Sequence, residues 1–281
     1  MAITGVVILY HPDVILLKEN IKTYIQPLDK LLVYDNSEQF DLQLETAICS
    51  ISDKIVFKHF GKNEGIAKRL NQAIELTLQS ASEYLLMMDQ DSSFKDGDFE
   101  KYLDLINNNK EEKVGQFGVN CQPEFTPIHS IPEHAVSLIT SGSVLQLKFI
   151  KEIGMFDENL FIDFVDTEFS YRVTNNGYHN LLCSSIVLNH SIGTRVEGRS
   201  LVTFKKSMRI IHSPIRVYYI LRNAFYLLHK YKGLSAIQRK DINRSVKIVK
   251  NDFIYNPQIA SVYLNAIVAI KDFLFNKMGK K

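Results

Sequence analysis

Four short β-rich runs separated by helical patterns dominate the first 120 residues, and they constrain the fold more than any other feature of the chain. The runs are GVVILY (5–10), KLLVYDN (30–36), IVFKHF (55–60) and YLLMMD (84–89). Between them apolar residues recur at helical spacing, at Val14, Leu17 and Ile21 and again at Ile66, Leu70, Ala73, Ile74 and Leu78. Strands that alternate with helices build βαβ units around a largely parallel sheet, so the expected class is α/β. Ligands bind such open sheets beyond the carboxyl ends of the strands. There the chain places Tyr10, His11 and Pro12, then Asp35 and Asn36, then Asn63, Glu64 and Gly65, and finally Asp89, Gln90 and Asp91. Four strand ends carrying polar residues predict one site.

Beyond residue 115 the pattern changes. FGVNCQPEF and HAVSLITSGSVLQL read as further strands, and 149–178 holds a helical segment, an acid-rich loop and a helix stopped by Gly177. NLLCSSIVLNH reads as the last strand, and from about 200 onward the chain reads as basic and helical. The formal charge of +2 conceals a division. Residues 1–200 carry 17 basic and 28 acidic side chains, a balance of −11, whereas residues 201–281 carry 16 and 3, a balance of +13. That asymmetry predicts an anionic partner for the tail.

Other classes are set aside on simple grounds. MAITGVVILYHP lacks a basic leader and meets Tyr-His-Pro early, so it reads as a first strand and not as a signal peptide, and the protein is expected on the cytoplasmic side. Cys49, Cys121 and Cys183 show neither C-x-x-C spacing nor a nearby His at ligand spacing, and are expected to be buried, reduced thiols. Residues 253–270 lack charge but are interrupted by Pro257, two Asn and a Gln; a surface-lying amphipathic helix pair fits them better than a membrane span.

Asp89 and Asp91 stand one residue apart at the end of an apolar run, YLLMMDQDSSF. Such a pair can reach one hard cation, with water and phosphate oxygens completing an octahedron. Alternatively, the acids and serines cap or turn the following segment, for which they are equally suited. A strand-end D-x-D also occurs in phosphatases with an aspartyl nucleophile, although there the motif normally sits on the first strand and continues with Thr or Val where Ser93 stands. A third class is a binding protein that retains the fold without turnover.

In their order and spacing, VVILYHP, LLVYDNSE, NEGIAKRLNQAIE, LLMMDQDSSF, TSGSVLQLKFIKEIGMFDENLFIDFVDTEFSYRVTNNGY and NHSIG resemble the inverting family-2 glycosyltransferases of GT-A fold, in particular their bacterial rhamnosyltransferase-like branch. The resemblance covers residues 3 to about 225. It implies a Rossmann-like, mixed but mainly parallel sheet flanked by helices, with a catalytic domain over 1–199 and a basic helical extension over 200–281. Residues 1–120 would form the nucleotide-sugar half and 121–199 the acceptor half. Asp35 would accept the N3–H of a pyrimidine base above the Tyr10-His11-Pro12 turn, and Arg69 would approach base or diphosphate. The turn of Asn63, Glu64 and Gly65 would bring backbone to the ligand, Asp89 would hold the ribose with Gln90 beside it on the donor, and Asp91 would hold Mg²⁺ or Mn²⁺. His190 matches a position that adds a metal ligand.

An inverting transfer needs one carboxylate to take the acceptor proton. The resemblance puts that base at Asp166 in FIDFVDTEFSYR; Val165 replaces the acid that commonly precedes it, so Asp163 and Glu168 are expected to assist. The other reading of these acids is a solvated helix start, where carboxylates favour the N-terminal dipole. Against it, Phe161, Ile162, Phe164, Val165 and Phe169 surround them with apolar bulk. Ser141 and Gly142 would line the acceptor side or form a tight bend; His129 and His134 carry less signal.

The expected donor is dTDP-L-rhamnose, with UDP-galactofuranose, UDP-glucose and UDP-galactose as alternatives. The acceptor would be a saccharide or a polyprenyl-diphosphate-linked precursor of a cell-surface polysaccharide. The basic tail, with Lys205, Lys206, Arg209, Arg216, Arg222 and Lys230 among aromatic and aliphatic residues, would touch anionic lipid at the inner face of the plasma membrane or solvate helices packed on the catalytic domain. No nucleic-acid module is visible in it.

Overall fold

The computed structural model describes residues 1–124, 126–189, 194–199 and 204–281. The chain divides into two compact units, Met1–Glu158 with Val165–Ser191, and Asn159–Phe164 with Ile192–Lys281.

The first unit begins with β1 (Ile3–Leu9), α1 (Val14–Lys22), β2 (Lys30–Asp35), α2 (Leu42–Cys49), β3 (Ile55–His59), α3 (Ile66–Thr77) and β4 (Tyr84–Asp89). It continues with β5 (Ser93–Phe94), α4 (Asp98–Asn107), β6 (Val114–Asn120), β7 (Glu133–His134), β8 (Ser143–Gln146), α5 (Ile150–Ile153), α6 (Val165–Asn175) and β9 (His179–Asn189). The strands form one sheet in the order β3-β2-β1-β4-β8-β6-β9-β5, with β7 also on β9. β3, β2, β1 and β4 are mutually parallel, and β8 runs antiparallel between β4 and β6. The apolar runs read from the sequence are these parallel strands: β1, β2 and β4 are buried on both faces, as Val6, Val7, Leu32, Val33, Leu86 and Met87 show, whereas the edge strand β3 exposes Val56 and Lys58. Asp13 and Asp41 cap α1 and α2 by accepting from amides two and three residues on.

The second unit holds a hairpin of β10 (Thr194–Arg199) and β11 (Lys206–Ile211), then α7 (Pro214–Lys230), α8 (Ala236–Val249), α9 (Asp252–Tyr255) and α10 (Ile259–Leu274). Lys206 and Arg209 therefore lie on a strand, which corrects the reading of a helical tail from 200 and of 180–190 as the last strand. Helix α8 opens with a capping box between Ser235 and Gln238. Within α7, Tyr218 and Tyr219 pack with Ala269 of α10, and Phe161 stacks on Tyr219 with ring centroids 5.2 Å apart. Arg222 is fully buried here and donates to Asn223 Oδ1, the Tyr218 hydroxyl and the Gly279 carbonyl.

The cysteines are free, as expected, but Cys49 at the end of α2 is exposed and not buried: it follows Ile48, which takes the core-facing position of that turn.

Candidate functional site

Strand order reverses between β1 and β4, because β2 follows β1 outward on one side and β4 lies on the other. A crevice outside the carboxyl ends of those strands is the place where such a sheet takes a ligand. There Gln90 spans the gap: its Oε1 accepts from the Tyr10 amide at 2.7 Å and its Nε2 donates to the Tyr10 carbonyl at 3.2 Å. Asn20 of α1 donates to the Gln90 carbonyl at 3.0 Å, fixing the same residue from below. Tyr10 itself stays 44% exposed, its ring set edge-on against that of His11 with centroids 4.3 Å apart, and Pro12 follows on the turn.

The end of β2 is built just as tightly. Asp35 is 1% exposed; its Oδ1 accepts from the Ser37 amide at 3.0 Å, and its Oδ2 lies 2.6 Å from Nδ1 of His59. Each carboxylate oxygen has a second lone pair, so these bonds leave capacity to accept one more. Ser37 Oγ in turn accepts from the amide of His11, a residue in the left-handed region at φ 45.

Next to it, Asn36 and Arg69 tie three loops together. Asn36 donates to Asn63 Oδ1 at 2.9 Å and accepts from Arg69 Nε at 2.9 Å. Asn63 also caps Gly65, whose φ of 89 and ψ of 171 suit glycine alone at the start of α3. Arg69 has no exposed surface: it donates to the Lys62 carbonyl and Gln72, pairs with Glu64 at 3.2 Å, and lies 3.6 Å from the Phe60 ring centre. It braces the loops. Glu64 is held down to about 2, chiefly by its hydrogen bond from Lys68.

Asp89 and Asp91 stand half-buried at the end of β4. The Asp89 amide donates to Ser141 Oγ at 3.1 Å, so Ser141, itself 1% exposed, positions the strand end from beneath. Gly142 makes the bend: its φ is +76, and a Cβ there would sit 2.4 Å from Val119 Cγ2. Both carboxylates offer hard oxygens, the donor class of Mg²⁺ and Mn²⁺. The Cys121 sulfur, 4.0 Å from the Ser141 carbonyl, is pushed up to about 12 by burial and supplies no thiolate. The donor set fits a hard divalent cation. His190, the remaining expected ligand, lies outside the described residues.

The acids of 163–168 separate. Asp166 begins α6, which leads within a few residues into β9, and β9 enters the sheet beside Val114 at its amino edge. An eleven-residue helix spans about 16 Å, so its first turn, with Asp166, points back toward the carboxyl edge. Asp166 Oδ1 accepts from the Thr167 amide at 2.8 Å. Glu168 is fully buried and accepts from Arg172 at 3.1 and 2.9 Å, while Arg172 also donates to the Ile153 carbonyl. Asp163 belongs to the second unit, at φ 61, and pairs with Arg216 through both oxygens. His134 is on β7, opposite Leu181 in the amino-terminal part of β9, while His129 pairs with Glu133 and its amide donates to Ser184 Oγ.

The model for Glycosyl transferase family 2 matches residues 16–173, and a dTDP-rhamnosyl transferase of Shigella flexneri, RfbF, is 30% identical over 256 residues, 81% of this chain and 80% of its own. The chain belongs to glycosyl transferase family 2. Its fold is shared by solved structures of low identity. The mannosyltransferase PcManGT of Pyrobaculum calidifontis, solved with GDP-Man and Mn²⁺, aligns at TM-score 0.59 and 14% identity over 96% of this chain and 75% of that one. A fragment of Staphylococcus aureus TarS with UDP-GlcNAc aligns at 0.55 and 15% over 98% and 81%. Membership in family 2 makes this chain a glycosyltransferase and decides against the aspartyl-phosphatase and non-catalytic readings.

In this family 2 transferase the structure adds residues that the sequence did not single out. His59 ends β3 beside Asp35, and Phe40 covers it edge-on with ring centroids 5.4 Å apart. The signal available was the place of His59 at the end of the third apolar run, IVFKHF. Asn20 and Ser37 carried none, because each acts through a loop whose return path the sequence leaves open.

Proposed function

We propose that this glycosyltransferase moves L-rhamnose from dTDP-L-rhamnose, with inversion, onto a saccharide or a lipid-linked acceptor in cell-surface polysaccharide synthesis. The observation that carries the donor is the 30% identity to a dTDP-rhamnosyl transferase along four-fifths of both chains. Asp35, held by Ser37 and His59, accepts the pyrimidine N3–H, and Tyr10 lies against the nucleotide. Asp89 takes the ribose hydroxyls. Asp91, with Asp89 beside it, would hold Mg²⁺ or Mn²⁺, which when bound would offset the charge of the leaving diphosphate. Asp166 accepts the proton of the attacking acceptor hydroxyl as the new bond forms on the opposite face of the sugar. Gln90, Ser141 and Arg69 position these groups, and Glu168 fixes α6 through Arg172. Asp163 shapes the segment 159–164 through Arg216.

Purified protein with Mg²⁺ or Mn²⁺ and a panel of dTDP- and UDP-sugars tests this reading. Donor-dependent thermal stabilisation and transfer should be largest with dTDP-L-rhamnose; preference for UDP-galactofuranose, UDP-glucose or UDP-galactose would keep the chemistry and replace the sugar.

We also propose peripheral contact with anionic membrane through the second unit. No helix among the described residues is long and apolar enough to cross a membrane. Helix α10 nevertheless exposes Tyr263, Ile267, Ile270 and Leu274 in one stripe at helical spacing, with Leu264 beside it, while Val262, Ala266 and Ala269 face inward. Helix α8 lines a groove with Arg239, Lys240, Arg244 and Lys247. Apolar insertion with basic flanks is how a helix lies on anionic lipid. Ile267→Asp should abolish co-flotation with vesicles containing phosphatidylglycerol; unchanged flotation removes the idea.

A further inference from the structure

At the opposite edge of the sheet from the nucleotide site, Glu111, His134 and His179 bring one carboxylate and two imidazoles together, with all ligand atoms within 4.8 Å of one another. Glu111 precedes β6, and His179 opens β9, paired with Val114 at the amino edge. His134 lies on β7, whose register pairs it with Leu181. Residues far apart in sequence meet here because two strands and a loop converge.

We propose that these three residues form a second metal site that takes a borderline divalent cation, Zn²⁺ first. Imidazole nitrogen and carboxylate oxygen are the ligands of three-residue zinc sites, which leave a fourth position to water. Bonds of about 2.1 Å in a tetrahedron separate neighbouring ligand atoms by about 3.4 Å. The Glu111 Oε1 lies 2.8 Å from His134 Nε2 and 3.7 Å from His179 Nε2, which brackets that separation. The two rings stand 4.6 Å apart at 54°, splayed and not stacked. Backbone bonds fix where they start: the His179 amide donates to the Lys113 carbonyl at 2.8 Å and the Ala135 amide to the Asn180 carbonyl at 2.9 Å. Only side-chain rotation is needed to close the set. Nitrogen-rich donors separate it chemically from the all-oxygen pair at Asp89 and Asp91.

The consequence would be a cross-link of the outer edge. The connection from Asn120 to Ser143 is long, and β7, two residues in length, is its strand on the sheet. A metal joining His134 to His179 and Glu111 would pin that connection to β9 and to the start of β6, and so stiffen the chain that ends in Ser141 and Gly142.

Zn²⁺ titrated into tag-free protein with Mg²⁺ in excess should bind at one equivalent by calorimetry and raise the thermal midpoint. Co²⁺ in its place should give the intense visible bands of a four-coordinate site. The one-equivalent step should persist in Asp91→Ala and in His129→Ala, which removes a neighbouring surface imidazole paired with Glu133. It should vanish in Glu111→Gln and in His134→Ala with His179→Ala, each checked for native circular dichroism. Absence of the step in the unaltered protein, its persistence in the double His variant, or its loss in Asp91→Ala would each overturn the proposal. A result of the last kind would leave the nucleotide-sugar reading intact, because that reading is tested by donor binding.

Discussion

Two arginines, one in each unit, have no exposed surface, and their surroundings differ. Arg69 in the first unit meets a carboxylate, Glu64, along with Asn36, Gln72 and a carbonyl at the end of a strand. Arg222 in the second unit meets neutral acceptors and two tyrosine rings, with guanidinium carbon 5.1 and 5.2 Å from their centres. A buried cation with a carboxylate at a strand end organises loops around a ligand; one wrapped in carbonyls and aromatic faces fastens helices to each other. Arg69 therefore braces loops at the strand ends of the first unit, and Arg222 ties together the helices and the terminal segment of the second.

The sharpest way to test that contrast begins with chemistry. Asp166→Asn should lower kcat by about 10³-fold while donor affinity and thermal midpoint hold, as measured by initial rates and calorimetry. Near-normal transfer would remove Asp166 as the base. Arg222→Ala should cost about 3 kcal/mol of stability in denaturant titration, with KM for the donor unchanged below the melting range. Arg69→Ala should cost a similar amount and also raise donor KM; if both variants changed KM alike, the distinction between the two arginines would collapse. Gly142→Ala, which places a methyl against Val119 and strains a positive φ, should cost about 2 kcal/mol and reduce kcat through the Ser141 support of Asp89.

A smaller effect concerns acid. Glu64, held down to about 2, contributes stability above its unfolded pKa, and this is lost as pH falls through the window from about 4.5 to about 2. Glu64→Gln should flatten the fall in thermal midpoint across that window by an amount equivalent to at most about 1 kcal/mol. The smallest change is a labelling count. Cys49 is exposed, while burial pushes Cys121 and Cys183 up to about 12, so a thiol reagent near neutral pH should modify one cysteine in the native state and three after unfolding.

Much of the first unit was legible because its signals are local. An apolar run ending in Asp89 is a strand wherever it lies, and alternation with α1 and α3 leaves few topologies. The polar residues at those ends had to gather on one edge for the same reason. What the sequence left hidden is pairwise. Nothing near Asp35 says that His59 will reach its second oxygen, because parallel register decides it. Nothing in FIDFVDTE says that Asp163, three residues before Asp166, closes on Arg216 while Glu168, two residues after it, closes on Arg172. The β10–β11 hairpin escaped because Lys206, Arg209, Ile210 and Ile211 fit a basic helix as well as an edge strand, and cross-strand partners such as Glu197 are not visible from one side. The cluster of Glu111, His134 and His179 likewise depends on where β7 docks.

The two bonds between Gln90 and the Tyr10 backbone bear on how the motif around it tolerates change. The position between two aspartates invites treatment as a spacer open to any residue. Here it must offer a donor and an acceptor at amide reach, so a saturation library at position 90, selected for transfer, should retain a narrow alphabet centred on glutamine while neighbouring surface positions drift.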